Sequence, residues 1–243
     1  MSAWMTPSHP VPEAGEPRLC RTSAVRSVHL MGPAGGLEAL LNEGARTAAF
    51  AALVSHPHPL GGGTLHNKVV YHAMKVLNDP LWGFGFPVLR FNFRGAGLSQ
   101  GLHDGEAEAE DVQAALAWLH DEYHLPIVAV GFSFGAAMTL AACSGSAPSP
   151  VSAIACLGLP VEAEGRTYSY PGLSNITLPK LFLSGDSDQY APASKLVQVV
   201  TSAANPKQMT LIPGADHFFT GRIEPMQQAL AGWLLEQCHD PGR

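Results

Sequence analysis

The sequence predicts an α/β domain, a mostly parallel sheet of about eight strands wound with helices on both faces. Three observations carry that expectation. Short apolar runs of strand length alternate along the chain with longer one-faced stretches of helix length. One of those runs, Pro126-Ile127-Val128-Ala129-Val130, leads straight into Gly131-Phe132-Ser133-Phe134-Gly135 and then into small, helix-favouring residues. The 243 residues, 46% of them apolar, suit one domain with a substantial core.

Taken in order, residues 1–21 hold prolines and acidic residues but no apolar signal core, and read as a flexible tail ahead of a single domain over 22–243. A hairpin is expected at about 22–31 and 36–41. Strands follow near 48–55, 86–92, 126–131, 152–158, 179–184 and 207–212. Helices fall near 65–78, 106–123, 134–144, 191–203 and 222–237. The helix at 106–123 shows the reasoning. Val112, Ala115, Leu116 and Leu119 recur on one face, while Glu106, Glu108 and Glu110 crowd its first turn, where the helix dipole favours anions. No internal repeat and no low-complexity linker interrupts the series.

Composition excludes several classes. No stretch approaches the roughly 20 apolar residues of a membrane span. A net charge of −6 gives no nucleic-acid footprint and mildly disfavours anionic substrates. Cys20, Cys143, Cys156 and Cys238 show no paired spacing. Cys143 and Cys156 read as buried thiols, which suits a reducing cytoplasm.

The chemistry centres on Ser133. A serine on a sharp turn between a buried strand and a helix is held in a strained backbone conformation, its side chain standing over the sheet edge. Gly131 and Gly135 relieve crowding two residues either side, and Ala136 and Ala137 let the helix approach the sheet. That helix aims its N-terminal N–H groups where negative charge develops. Taken alone, the segment also reads as a glycine-rich loop with a capping serine.

A nucleophilic serine needs a base, and the base needs an orienting acid. Two histidines lie late in the chain, His217 and His239. His239 is four residues from the end, where chains fray. His217 follows Leu211-Ile212-Pro213-Gly214-Ala215-Asp216, a strand running into a turn. Between serine and histidine, the strand Leu181-Phe182-Leu183 ends in Ser184-Gly185-Asp186-Ser187-Asp188, which offers two carboxylates before Pro192 opens a helix. Asp216 reads as a turn residue, since adjacent side chains rarely face each other. The order Ser, Asp, His is that of the α/β-hydrolase arrangement.

From about residue 22 to 238 the chain resembles an α/β-hydrolase. More narrowly it is similar to a bacterial group of small, lidless α/β-hydrolases of largely undefined substrate. Four blocks carry the resemblance: Ser55-His56-Pro57-His58-Pro59-Leu60-Gly61-Gly62-Gly63-Thr64 with Asn67-Lys68-Val69-Val70, the run from Leu89 to Gly101, Gly131 to Gly135, and Pro213 to Phe219. The resemblance implies that the acid stands three residues after a strand-ending Gly and four before a Pro, which selects Asp188 over Asp186. It also implies two oxyanion donors: the backbone N–H of Phe134, and one from the loop after the third strand. Pro57 and Pro59 have no N–H, so His58 is the candidate and Leu60 the second choice.

Other readings of these loops carry less. His56, His58 and His66 lack a carboxylate or cysteine at metal spacing, and no zinc-hydrolase motif is present, so no metal is expected. Gly61-Gly62-Gly63 with Lys68 lacks the P-loop context; the glycines let the loop bend, and Thr64 is expected to cap the next helix. Arg94-Gly95-Ala96-Gly97 has Gln100 at the third glycine position of a dinucleotide turn, so it is expected to be architectural. The link from Gly158 to Thr177, about 20 residues, is too short for a cap domain. An open cleft, with Tyr168, Tyr170 and Leu173 either shaping one wall or packing on the surface, suits short acyl groups or an ester on a larger molecule.

The expectation is therefore a cytoplasmic serine hydrolase of carboxylic esters, with Ser133 as nucleophile, His217 as base and Asp188 as its orienting acid. It needs no cofactor and acts on a small-molecule ester. A thioesterase or peptidase with the same residues, or a non-catalytic binding module on the same fold, are the alternatives.

Overall fold

The computed structural model describes residues 24–145, 149–163 and 166–238. The expected tail, Cys20 and His239 lie outside them. The elements run β1 (Val25–Gly32), β2 (Gly35–Asn42), β3 (Ala51–Ser55), α1 (Lys68–Asn78), β4 (Val88–Phe91), α2 (Glu108–Tyr123), β5 (Ile127–Phe132) and α3 (Phe134–Cys143). They continue with β6 (Val151–Leu157), β7 (Glu162–Ala163), β8 (Arg166–Thr167), β9 (Lys180–Gly185), α4 (Ala193–Ser202), β10 (Lys207–Ile212) and α5 (Ile223–Gln237).

Eight strands form one sheet in the order β1-β2-β4-β3-β5-β6-β9-β10. β2 runs antiparallel to β1 and β4, and the other pairings are parallel. β3, β5 and β9 are buried along their whole length, as a parallel sheet covered on both faces requires. The period of two divides β5 cleanly. Val128, Val130 and Phe132 face the core under α1 and α5, whereas Ile127 and Ala129 face the core under α2, α3 and α4.

This topology positions the site. The chain steps from β3 outward to β4, then back across β3 to β5, so strand order reverses there. Open α/β sheets bind ligands in the crevice at the carboxyl ends of strands beside such a reversal. Ser55, the last residue of β3, is in register with Gly131 of β5, and Ser133 stands just beyond.

Several local expectations are corrected. Asn67, not Thr64, caps α1; its side chain accepts from Val69 N–H, and 64–67 form a turn closed by the Asn67 N–H on Thr64 O. Glu108 and Glu110 lie in the first turn of α2 as expected, joined by Asp111, but Glu106 precedes the helix; Glu108 is fully buried. Cys143 is half-buried and Cys156 fully buried. The link after β6 forms the two-residue strands β7 and β8 and a single turn at Leu173–Asn175, with no helical cap among its described residues. Among the described residues no helix is long and apolar enough to cross a membrane.

Candidate active site

Ser133 links β5 to α3 with φ 55° and ψ −119°. That is left-handed backbone for a residue with a side chain, and costs about 1–3 kcal/mol. Close packing around it holds the turn. A Cβ on Gly135 would stand 2.5 Å from Ser55 O and 2.6 Å from His56 O, and one on Gly131 would stand 2.5 Å from Ala136 Cα. The glycines therefore let the start of α3 lie directly on the end of β3.

His217 and Asp188 meet Ser133 in one hydrogen-bonded line. Asp188 Oδ2 and Oδ1 lie 2.9 and 3.0 Å from His217 Nδ1, and His217 Nε2 lies 2.9 Å from Ser133 Oγ. An ionised carboxylate only accepts. Nδ1 therefore carries the imidazole proton, and Ser133 Oγ–H donates to Nε2.

The acid is fixed from its own loop. Asp188 Oδ1 accepts from the N–H groups of Tyr190 and Ala191 at 2.8 and 3.0 Å, and Oδ2 from Ser184 Oγ at 2.9 Å. Asp188 is 3% exposed. Burial works to raise its carboxyl, but the hydrogen bond and charge of His217, with the Tyr190 N–H and Ser184 hydroxyl, win and hold it below the usual carboxylate range. Asp186, the other carboxylate, turns away and accepts from Gly214 N–H at 2.9 Å, tying the acid's loop to the histidine's. Asp216 accepts from Phe218 and Thr220 N–H as a turn residue does.

His217 is 2% exposed and walled by rings. Tyr190, Phe132 and Phe218 have centroids 4.7, 5.1 and 5.2 Å from its own. The backbone of Gly158 fits beneath it, where a Cβ would lie 3.2 Å from His217 Cε1.

The loop after β3 lies on the other side of Ser133. His56 is buried with both ring nitrogens engaged: Nε2 accepts from Phe93 N–H at 3.0 Å, so Nδ1–H donates to Pro57 O at 2.6 Å. Burial lowers its pKa to about 4 and keeps it neutral. A residue used this way braces the loop and has no nitrogen to offer a metal. Among the described residues no cluster of three His, Cys, Asp or Glu gathers at metal-binding distance.

His58 follows with its ring 4.9 Å from that of Phe134. Its Nδ1 accepts from Leu60 N–H at 3.2 Å, which occupies the N–H of the second-choice oxyanion donor. Phe134 is the first residue of α3, where helix geometry leaves the N–H without a partner of its own helix.

The loop after β4 is architectural. Arg94 grips the buried Asp111 through Nε and Nη2, at 3.1 and 2.7 Å. Gln100 Oε1 accepts from Gly36 N–H at 2.8 Å. Tyr168, Tyr170 and Leu173 line a cavity of about 490 Å³ with Ala137, Met138 and Leu140 of α3 and the acidic Asp104 and Glu106. Ser133 is not among its lining residues; the cavity begins one turn along α3 from it. Spacing along the chain had offered no sign of His103 and Glu108, which touch in space close to Phe134.

The chain is similar in sequence and in fold to known α/β-hydrolases. The family model described as alpha/beta hydrolase domain matches residues 61–230. An uncharacterised protein of Rickettsia prowazekii is 34% identical over 218 residues, 86% of this chain and 88% of that one. An alpha-beta serine hydrolase homologue from Coxiella burnetii superimposes with TM-score 0.75 at 32% identity, covering 85% of this chain and 96% of its own. A serine hydrolase without lid from Xanthomonas campestris gives TM-score 0.77 at 27% identity, over 89% and 97%.

Proposed function

The chain belongs to the α/β-hydrolase family, and from that premise we propose that it is a serine hydrolase of carboxylic esters working through an acyl-enzyme. The observation that carries this reading is the line Ser133 Oγ–His217 Nε2–Asp188, with contacts of 2.9 to 3.0 Å throughout. It ends on a serine in left-handed backbone.

In this reading Ser133 Oγ attacks the ester carbonyl carbon as its proton passes to His217 Nε2. Asp188 stays ionised, holds Nδ1–H, and stabilises the imidazolium. The carbonyl oxygen, now an oxyanion, takes hydrogen bonds from the backbone N–H groups of Phe134 and His58. Collapse breaks the bond to the alkoxy oxygen, and His217 returns its proton to the departing alcohol. Water then attacks the acyl-serine with His217 again as base, releasing the acid and restoring Ser133 Oγ–H.

The short link after β6 supports a preference for short acyl groups in an open cleft, as does the likeness to the Xanthomonas hydrolase described as lacking a lid. The free thiols Cys143, Cys156 and Cys238 suit a reducing cytoplasm. Burial pushes the Cys143 thiol up to about 12, which leaves it inert.

The test is hydrolysis of p-nitrophenyl esters from acetate to octanoate by wild type and Ser133→Ala, with fluorophosphonate labelling of both. The reading expects turnover and labelling in wild type, highest for the short chains, and neither in Ser133→Ala. Labelling without ester turnover would move the substrate to thioesters or peptides; absence of both in wild type would leave a binding module.

A further inference from the structure

Beside Phe134, the side chains of two histidines and a glutamate form a group that takes no part in the steps above. The His103 side chain is 7% exposed, and its Nδ1 lies 2.6 Å from Oε1 of Glu108, whose side chain is 0% exposed. The approach is bent, outside the geometry of an aligned hydrogen bond. The same carboxylate accepts from the N–H groups of Asp104 and Gly105 at 3.0 and 2.9 Å. One buried carboxylate thus ties down residues 104 and 105 by hydrogen bonds and lies in close contact with the His103 ring.

The His103 ring in turn meets two others. Its centroid is 4.6 Å from that of His58 and 5.5 Å from that of Phe134, each at an interplanar angle of 69°, while His58 and Phe134 meet at 4.9 Å. The three rings make a triangle. Two of its corners are the residues whose backbone N–H groups are assigned above to the oxyanion.

Resting on that assignment, we propose that His103, anchored by Glu108, is a positioning residue of the oxyanion hole that sets the separation and direction of the His58 and Phe134 N–H groups. The backbone of His58 is secured on its carbonyl side, where Gly61 and Gly63 N–H donate to its oxygen at 3.0 Å each. Its ring packs against His103 and Phe134, so that packing governs how the residue sits relative to Ser133. Filling the triangle needs only an apolar ring. A carboxylate stripped of water is costly unless it is paired, and what it adds here is direction, holding the His103 ring in one orientation. Oxyanion donors act only at about 2.7–3.1 Å from where the charge develops, so a small rotation of His58 reaches the chemistry.

The experiment compares full-length wild type, His103→Ala and Glu108→Gln. It measures kcat and KM for p-nitrophenyl acetate, the inhibition constant of an aryl trifluoromethyl ketone, which forms a tetrahedral adduct with the serine, and Tm. His103→Ala is expected to lower kcat about 10- to 30-fold with KM within about 2-fold. It should weaken the ketone by the same factor. Glu108→Gln, close in shape, should show the same pattern at about 3- to 10-fold. If kcat and ketone affinity hold at wild-type values in the folded variants, or Tm falls with no selective loss of ketone affinity, His103 only packs and the proposal is overturned. Should His103→Ala not fold, Glu108→Gln decides by the same criterion. Wild type that neither turns over ester nor reacts with fluorophosphonate would instead remove the esterase reading, and this proposal with it.

Discussion

The two sides of Ser133 are built differently. On the acid–base side the supporting contacts are short in sequence: Asp188 is held by Ser184, Tyr190 and Ala191, all within four residues, before one long step to His217. On the oxyanion side local bonds from Leu60, Gly61 and Gly63 to His58 are joined by supports that come from afar. Gly135 lies on Ser55 and His56, the N–H of Phe93 holds a histidine 37 residues earlier, and His103 brings the start of α2 against His58 and Phe134. One side generates a nucleophile and the other receives the charge it creates. The contrast suggests that reacting groups leave local signatures in a chain, whereas the groups that aim them need not.

Variants on the two sides should therefore fail in different ways. The largest loss is expected at the nucleophile, where Ser133→Ala should cut ester turnover by about 10⁴-fold or more while leaving the fold intact. Asp188→Asn should approach the same loss, about 10⁴-fold in kcat, because the amide no longer enforces the Nδ1–H tautomer. Across the serine, His58→Pro and His58→Ala form an informative pair. Both remove the ring, and the φ of −52° at this position accepts proline, so the pair differs chiefly in the N–H. A further 10²–10³-fold deficit of the proline variant in kcat is expected. Equal rates would take His58 out of the oxyanion hole.

A stability measurement sharpens the comparison. His56 titrates near 4 when folded, against about 6.5 unfolded. Between those values the unfolded chain binds the extra proton, so its stabilising contribution is complete above about 6.5 and is lost as pH falls towards 4. The loss amounts to about 3 kcal/mol. Urea unfolding from pH 7 to 4.5 should show that slope, and His56→Gln, which can keep one donor and one acceptor, should flatten it; an unchanged slope would contradict the account. The smallest effect is assigned to Ser184→Ala. It removes one of several donors to Asp188, and turnover should fall only about 3- to 10-fold, with Ser184→Thr restoring most of it.

Much of this was legible in the chain. The doubly wound sheet followed from the alternation of buried runs and one-faced helices, and the strand at 207–212 falls where the sequence placed it. Ser133 stood out because its strand-end turn has tight steric demands, with glycines at 131 and 135, and His217 because it follows a strand into a turn. Asp188 was singled out from Asp186 only by the α/β-hydrolase resemblance and its spacing from Gly185 to Pro192. Other features depend on tertiary contacts. Glu108 read as a first-turn acid, which it is, but nothing in its neighbourhood reveals that it is buried beneath residues 103 to 105. Thr64 looked like a cap because its residue type suits one, but residues 64–67 form a turn that puts Asn67 at the cap instead. His56 and His58 were set apart from metal ligands by their spacing alone, but the use of both His56 nitrogens to brace the loop depends on Phe93, 37 residues away.

The most direct test of the central claim is a rapid-mixing experiment with p-nitrophenyl acetate, quenched during the first turnover and read by peptide mass spectrometry. The account predicts a burst of p-nitrophenol close to one per chain and an acetyl group on the peptide carrying Ser133, both lost in Ser133→Ala. A wild-type protein that turns over ester with the acetyl group on another residue, or with the burst retained in Ser133→Ala, would contradict it.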